Sequence, residues 1–182
     1  KVGSISMRNN SSLTEFALPN LLSIRGELFI ANPAENNITS IKCPQLTTIV
    51  KQCYIQAPNL KSLNLNSLES IPGNNSDGDG TFSLYGSQLV SLDLPVLKQV
   101  GKKFTLSLGT KHPELTQINL PELISCKEVS IGYADKLETI SLPKLSTLSS
   151  FSITSCAKFS KLNETIAPSN LEKLSVSHCP SV

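Results

Sequence analysis

The feature that most constrains this chain is an internal repeat marked by a Leu-Pro pair. The clearest copy begins at Leu137 and places apolar residues at offsets 0, 3, 5, 8, 11, 14 and 16, with proline at offset 6. Seven copies follow this template with a basic step of 22, and their first positions are Leu13, Ile38, Leu60, Leu89, Leu115, Leu137 and Phe159. The second copy has Cys43-Pro44 in place of Leu-Pro, the third has lost the proline and gained a loop, and the last is looser. A fixed period of this length is typical of a solenoid, in which each repeat stacks on its neighbours.

Each copy contains two short stretches of period two, of the form I-x-L before the proline and F-x-I after it. Period two indicates β-strands, and the proline ends the first strand because it cannot donate a ladder hydrogen bond. Two strands and two corners leave no room for a helix. We therefore predict a β-rich solenoid similar to a right-handed parallel β-helix, with little helix and about seven coils, each advancing the sequence number by about 22 to 29.

The domain organisation follows from the repeat and from the size of the chain. With 182 residues, 39% of them hydrophobic, and a net charge of +2, the chain fits one globular domain rather than a disordered tail. We predict that residues 1–12 form an N-terminal segment or cap and residues 13–182 the solenoid. An eighth coil begins near Ser177 and stops, so we expect a piece of a longer array, or association through uncapped solenoid ends.

The repeat resembles a known family. The pattern L-x-x-I-x-L-P-x-L-x-x-L-x-x-F-x-I-x-x-C, spelled by residues 137–156, resembles the BspA-type leucine-rich repeat, and its Leu-Pro corner is similar to that of receptor L domains. The resemblance covers residues 13–182. It implies a leucine-rich repeat fold on a secreted or cell-surface protein, as in many proteins of the Bacteroides group, including lipid-anchored ones. The family motif describes core packing and transfers no functional residue.

Side chains between the paired apolar positions of each strand point outward. The first-strand row contains Ala17, Lys42, Asn64, Asp93, Asn119, Ser141 and Asn163. The second-strand row contains Phe29, Tyr54, Ser83, Thr105, Ser130, Ser152 and Ser175. We expect the central part of the first row, from Lys42 through Asn119, to form a polar protein-binding face. The hydroxyl residues of the second row are expected to keep their own face flat and polar.

Phe29 and Tyr54 differ from the rest of the second row because they are large aromatics on adjacent coils. Exposed aromatic side chains can stack on a sugar ring or anchor a peptide. The alternative interpretation is that a terminal segment such as residues 1–12, or a neighbouring domain, covers both rings. The sequence leaves both interpretations open.

An insertion at residues 72–80 accounts for the longest step between copies. Its residues Asn75, Asp77 and Asp79 alternate like the start of a calcium loop, in which oxygen ligands surround a hard cation. The bidentate glutamate expected later in such a loop falls at Gly86. We therefore favour a flexible polar turn and keep calcium as the weaker alternative.

The chain has five cysteines, an odd number that forbids complete pairing: Cys43, Cys53, Cys126, Cys156 and Cys179. The first three fall on inward template positions, where cysteine behaves as a small hydrophobe. Cys156 and Cys179 occupy the same place in adjacent coils, so the spacing allows a disulfide. The resemblance instead implies a column of stacked thiols. No C-x-x-C pattern is present, and we predict no metal centre and no cofactor.

The sequence disfavours several classes of function. Parallel β-helix lyases and hydrolases need clustered carboxylates on an outward face, whereas the two rows hold one aspartate. His112 and His178 have no serine and aspartate placed around them by the repeat. The only adjacent basic residues are Lys102 and Lys103, so no stripe tracks a nucleic-acid backbone. No run of about 18 apolar residues exists to span a bilayer.

These observations and the resemblance together predict a non-catalytic recognition or adhesion module at the cell surface or outside the cell. Its expected partner is a protein or glycan on another cell or in the extracellular matrix, bound through the outward faces. The alternative is a carbohydrate-active parallel β-helix, either glycan-binding or lyase-like, that uses Phe29 and Tyr54.

Overall fold

The computed structural model describes residues 1–31, 37–74, 79–109, 113–163 and 170–180, with backbone alone for 161–163. In this part of the chain the regular structure is entirely β-strand. The strands are β1 Ile5–Arg8, β2 Glu15–Ala17, β3 Ser23–Ile24, β4 Leu28–Ala31, β5 Ser40–Lys42, β6 Thr48–Ile49, β7 Gln52–Gln56, β8 Ser62–Asn64, β9 Ser70–Ile71, β10 Thr81–Tyr85, β11 Ser91–Asp93, β12 Gln99–Ser107, β13 Gln117–Asn119, β14 Ser125–Gly132, β15 Thr139–Ser141, β16 Ser150–Thr154, β17 Lys161–Asn163 and β18 Lys173–Ser177.

The strands stack in parallel in about six turns, which confirms the β-rich solenoid predicted from the repeat. Each of the seven copies gives one strand to a large sheet and one to a short-strand face. The large sheet has the main order β1-β4-β7-β10-β12-β14-β16-β18. Within the predicted N-terminal segment, β1 pairs with β4 and extends this sheet by one strand. The described residues contain no helix able to cross a membrane.

The short-strand face consists of two separate sheets, β2-β5-β8 and β11-β13-β15-β17. The break between β8 and β11 coincides with the longest step of the repeat, which runs from Leu60 to Leu89. The outward row predicted for this face is therefore continuous only within each half.

A third row of very short strands lies between the two faces, and the sequence analysis did not identify it. It consists of β3, β6 and β9 and continues into the first residues of β12 and β14. Its inward residues occupy template offset 11 and are buried, as at Ile24 and Ile49. Two-residue strands are too short to produce a recognisable alternation, so periodicity alone misses them.

The Leu-Pro pairs form tight corners at the ends of the short strands. The backbone N–H of Leu145 donates to the carbonyl of Leu142 at 3.2 Å, and Leu123 bonds to Leu120 at the same distance. Proline is the second residue of each of these turns, and its fixed φ suits that position best. The proline thus ends the strand and also sets the direction of the next one.

Inward side chains form continuous apolar columns along the solenoid. One column of the large sheet contains, in register, Ile5, Leu28, Cys53, Phe82, Phe104, Val129, Phe151 and Leu174. Phe82 and Phe104 stack within it with ring centroids 4.9 Å apart and nearly parallel planes. Such pairs contribute about 0.5–1.5 kcal/mol beyond the area that they bury. The described core is therefore a single stacked interior.

The first and the last repeat copies differ in how far their residues in this column are covered. Leu28 is fully buried, and β1 lies beyond it with Ile5 in the same column. At the other end the side chain of Leu174 is 64% exposed and that of Val176 is 43% exposed. Among the described residues no strand pairs with the outer edge of β18. The apolar interior of the described chain is therefore open at its C-terminal end.

Hydroxyl side chains fasten adjacent coils together at the corners. Thr47 donates to the carbonyl of Leu22 at 3.0 Å, and Ser146 donates to that of Ile124 at 3.2 Å. Each bond joins residues one full turn apart in sequence. In both cases the backbone N–H of the same residue also donates to that carbonyl, at 2.9 Å, so the hydroxyl adds a second hydrogen bond to each link between coils.

Gly101 lies in the irregular part of β12, where the register shifts between Val100 and Lys103. A Cβ atom at Gly101 would overlap with the carbonyl oxygen of Pro72, which belongs to the backbone of the preceding coil. The close approach of two coils at this point therefore requires glycine.

Candidate functional site

The outer face of the large sheet presents one row of side chains in strict register. Residues Phe29, Tyr54, Ser83, Thr105, Ser130, Ser152 and Ser175 pair in this order, one per coil. All of them are half-buried, as expected for side chains standing side by side on a sheet. We call these residues the outer row. Ser6 of β1 extends it beyond Phe29.

The aromatic end of the outer row is a continuous stack of four side chains. Phe29 and Tyr54 have centroids 4.7 Å apart and planes that differ by 10°. Tyr85 follows at 5.2 Å from Tyr54, tilted by 35°. On the other side the Arg8 guanidinium lies 4.2 Å from the Phe29 centroid. We call these four residues the aromatic stack.

The stack changes what Phe29 and Tyr54 can do. β4 lies between β1 and β7, so Arg8 and Tyr54 occupy opposite faces of the Phe29 ring. Tyr54 is likewise held between Phe29 and Tyr85. Neither ring presents a free face to a sugar, and what they expose is ring edges. Arg8, which belongs to the predicted N-terminal segment, supplies part of this cover.

The Tyr54 hydroxyl is also engaged. It donates to the side-chain oxygen of Gln56 at 3.3 Å. Burial, and second the neighbouring Tyr85, raise the pKa of the Tyr54 hydroxyl above its ordinary value of 10. The hydroxyl therefore stays protonated at neutral pH and acts as a hydrogen-bonding group rather than as a base.

Sequence reasoning missed Arg8 and Tyr85 as members of this cluster. Each lies two residues beyond an outer-row position on its own strand, Ser6 and Ser83 respectively. Period two makes such residues point to the same side of the sheet. The rule that places the outer row therefore also places Arg8 and Tyr85 on the outer face of the large sheet.

The polar first row lies on the short-strand face, where the structure divides it into two groups. Lys42 and Asn64 are neighbours in one sheet, whereas Asp93 and Asn119 are neighbours in the other. The Lys42 ammonium pairs with Glu15 at 3.1 Å. Ser91 donates to Asp93 at 2.6 Å, and Asn64 accepts a bond from the Asn66 backbone at 3.4 Å.

Charged side chains on the surface pair mainly across adjacent coils. Lys136 lies 2.7 Å from Glu114, Lys144 lies 2.6 Å from Glu122, and Lys98 lies 3.0 Å from Glu69. These groups are largely exposed, so each pair contributes about 0–1 kcal/mol. Each pair joins adjacent coils and sets two opposite charges side by side at that point of the surface.

The insertion at 72–80 is only partly described. Asn75 and Asp77, two of the three residues of the weak calcium candidate, lie outside the described residues, as does His112. Asp79 is described: it is half-buried, and its Oδ2 atom is buried without a hydrogen-bond partner among the described groups. Within the described part of the chain no cluster of three metal-ligating side chains occurs.

All five cysteines are free thiols, Cys156 and Cys179 included. The Cys156 thiol lies 3.5 Å from the Thr154 carbonyl, and that of Cys179 lies 3.3 Å from the Ser177 carbonyl. Burial raises the pKa of Cys126 to about 12 and that of Cys156 to about 11. Thiols protonated to such high pH are weak nucleophiles, in keeping with packing rather than chemistry.

No family profile matches the chain, and neither a curated protein nor a solved structure matches it. The function must therefore be argued from the outer row, the aromatic stack and the short-strand face.

Proposed function

We propose that this chain is a non-catalytic recognition module, secreted or displayed at the cell surface, that binds a protein or glycan through the outer face of its large sheet. The observation that carries the proposal is the outer row. It is a line of small hydroxyl side chains from Ser83 to Ser175, held in register by a rigid parallel ladder and ending in the aromatic stack.

Several properties of this face suit binding rather than structure alone. Its central row carries no charged side chain; at its margin Lys103 and Glu128 form an ion pair at 3.5 Å, and the exposed Lys173 occupies the equivalent position on β18. Hydroxyl groups both donate and accept hydrogen bonds, so they can recognise polar partners of many shapes. Because the row belongs to a stacked ladder, binding orders few side chains and loses little conformational entropy.

The short-strand face is a weaker alternative for the same role. Its row is divided between two sheets at the step from Asn64 to Asp93. Lys42, its one cation, is paired with Glu15 across the coil boundary. A partner that needs a continuous surface therefore finds a longer one on the large sheet.

The resemblance to BspA-type leucine-rich repeats supports the extracellular placement within this proposal. Catalysis is not part of it. Two carboxylates flank the outer row: Glu27, which accepts a bond from Gln52 at 2.6 Å, and Glu128 beside Lys103. Glu27 directly precedes β4, whereas Glu128 lies in β14, several coils away. They do not form the close pair of carboxylates that glycoside hydrolysis requires.

The test compares one bulky substitution on each face. Ser152→Lys places a long cation in the hydroxyl part of the outer row, between Ser130 and Ser175, and Ser141→Lys places the same side chain on the short-strand face. Binding is measured on a printed glycan array and against a panel of extracellular matrix proteins. We expect Ser152→Lys to abolish binding and Ser141→Lys to preserve it. The reverse order would refute the choice of face, and turnover of any polysaccharide would refute the non-catalytic proposal.

A further inference from the structure

The aromatic stack is closed at one end and open at the other. At the closed end, Arg8 covers the outer face of Phe29. At the open end, Tyr85 has one ring contact among the described residues, with Tyr54. In its own row Tyr85 stands between Gln56 on β7 and Ser107 on β12. The side of the ring turned towards β12 therefore faces a small side chain rather than another ring or a cation.

The surface beyond Tyr85 forms a step. Ser107 and Thr105 of the next coil are half-buried and present small hydroxyl-bearing groups, and Ser107 takes the place in its row that Tyr85 holds on the preceding coil. The Tyr85 ring, which we call the wall, thus adjoins a lower surface that bears the hydroxyl groups of Thr105 and Ser107. Tyr85 lies on β10, whereas Thr105 and Ser107 lie on β12, the next strand of the same sheet.

The charges around the step favour a neutral ligand. Thr105, Ser107 and the following outer-row members carry no charge, and Lys103 is paired with Glu128 at 3.5 Å. Arg8, the cation of the stack, lies at its far end against Phe29. A carboxylated or sulfated sugar would find no unpaired cation here among the residues described above.

We infer that the step between Tyr85 and Ser107 is a subsite for one hexose unit of a neutral glycan. This inference rests on the proposed function and names its ligand class. The apolar face of the pyranose ring stacks on Tyr85, while its hydroxyl groups bond to Thr105 and Ser107. Tyr54 lies against Tyr85 on the side away from the sugar, and Phe29 stacks on the other face of Tyr54.

The chain supplies its own optical probe for this test. It contains no tryptophan and three tyrosines, two of which belong to the stack. Tyrosine fluorescence is followed during titration with cellohexaose, maltohexaose and laminarihexaose, and hexagalacturonate serves as the anionic comparison. Isothermal titration calorimetry gives the dissociation constants independently.

Two variants address the subsite and one serves as a matched control. Tyr85→Ala removes the wall. Ser107→Arg keeps the wall but places a guanidinium over its open face, as Arg8 does for Phe29 at the other end. Tyr133→Ala removes a tyrosine that is 49% exposed and lies outside the stack. Circular dichroism verifies folding, and if Tyr85→Ala fails to fold, Ser107→Arg decides the question.

We expect at least one neutral hexaose to bind, with a dissociation constant about tenfold higher or more in both subsite variants and unchanged in Tyr133→Ala. Unchanged binding in the subsite variants overturns the inference. So does binding confined to hexagalacturonate or to a protein, which leaves the proposed function standing. Absence of binding to every glycan and protein offered overturns both.

Discussion

The unequal cover at the two ends of the apolar column leads to a sharp prediction. Leu28 and Leu174 are the same residue type in the same column of the large sheet, in the first and the last copy of the repeat. Leu28 is fully buried behind β1, and Leu174 is 64% exposed. We compare Leu28→Ala with Leu174→Ala, so that the chemistry of the truncation is identical and only its surroundings differ.

The magnitudes follow from burial. Truncating a fully buried leucine to alanine costs about 2–5 kcal/mol, since apolar burial is lost and a cavity remains. Leu174 has about one third of its surface to lose, and solvent fills the space, so its truncation costs about 1 kcal/mol or less. For a chain of this size, about 3 kcal/mol corresponds to a fall in melting temperature of about 6–12 °C.

The assay is urea denaturation followed by circular dichroism, supported by thermal melting. We expect a clear fall in the unfolding midpoint for Leu28→Ala and a small one for Leu174→Ala, with equal denaturant dependence in both, because the surface exposed on unfolding is the same. Equal losses of stability would refute the reasoning. They would mean that the end at β18 is covered as well as the end at β1.

Three further predictions concern other parts of the molecule. Gly101→Ala forces a methyl group against the Pro72 carbonyl and should cost about 1–3 kcal/mol, whereas Gly3→Ala, which meets no atom within 4 Å, should cost little in the same denaturation assay. The buried Cys126 thiol has a folded pKa of about 12 against 9 in the unfolded chain, so the unfolded state loses its proton first as pH rises. This group should leave the free energy of unfolding unchanged below pH 9 and should lower it above pH 9 by about 1.4 kcal/mol per pH unit. The prediction would be contradicted if Cys126→Ala and the unsubstituted chain lost stability with the same slope at alkaline pH. Lys144→Ala breaks an exposed ion pair with Glu122 and should lower the free energy of unfolding by less than about 1 kcal/mol, an effect that about 1 M salt should remove.

The sequence was sufficient to predict the solenoid because the core residues recur at the same offsets from copy to copy. Apolar offsets identified the two principal strands of every copy, and the observed pairing of Phe29 with Tyr54 and of Ser130 with Ser152 follows the predicted register. It did not reveal the third strand row, whose members are very short. Nor did it reveal the break in the short-strand face, which depends on whether β8 and β11 approach each other in space.

The site was predictable only in part, for a related reason. Register placed Phe29 beside Tyr54, but the sequence could not tell whether the ring faces were free. That depended on Arg8 and Tyr85, which come from other coils and lie in the neighbouring outward row. Repeat alignment compares equivalent positions, and the aromatic stack is built from positions that are not equivalent.

The corners of this molecule absorb differences in length that its strands do not. The step from Leu60 to Leu89 is longer than that from Leu115 to Leu137, yet the strands of the large sheet meet in parallel register on both sides of it. Editing such a chain is therefore governed by where the change falls. Residues can be added at a bend, or a whole turn removed, without disturbing the strand pairing. Deletion of a single residue within a strand would instead turn the inward-facing side chains that follow it in that strand outward, and the outward-facing ones inward.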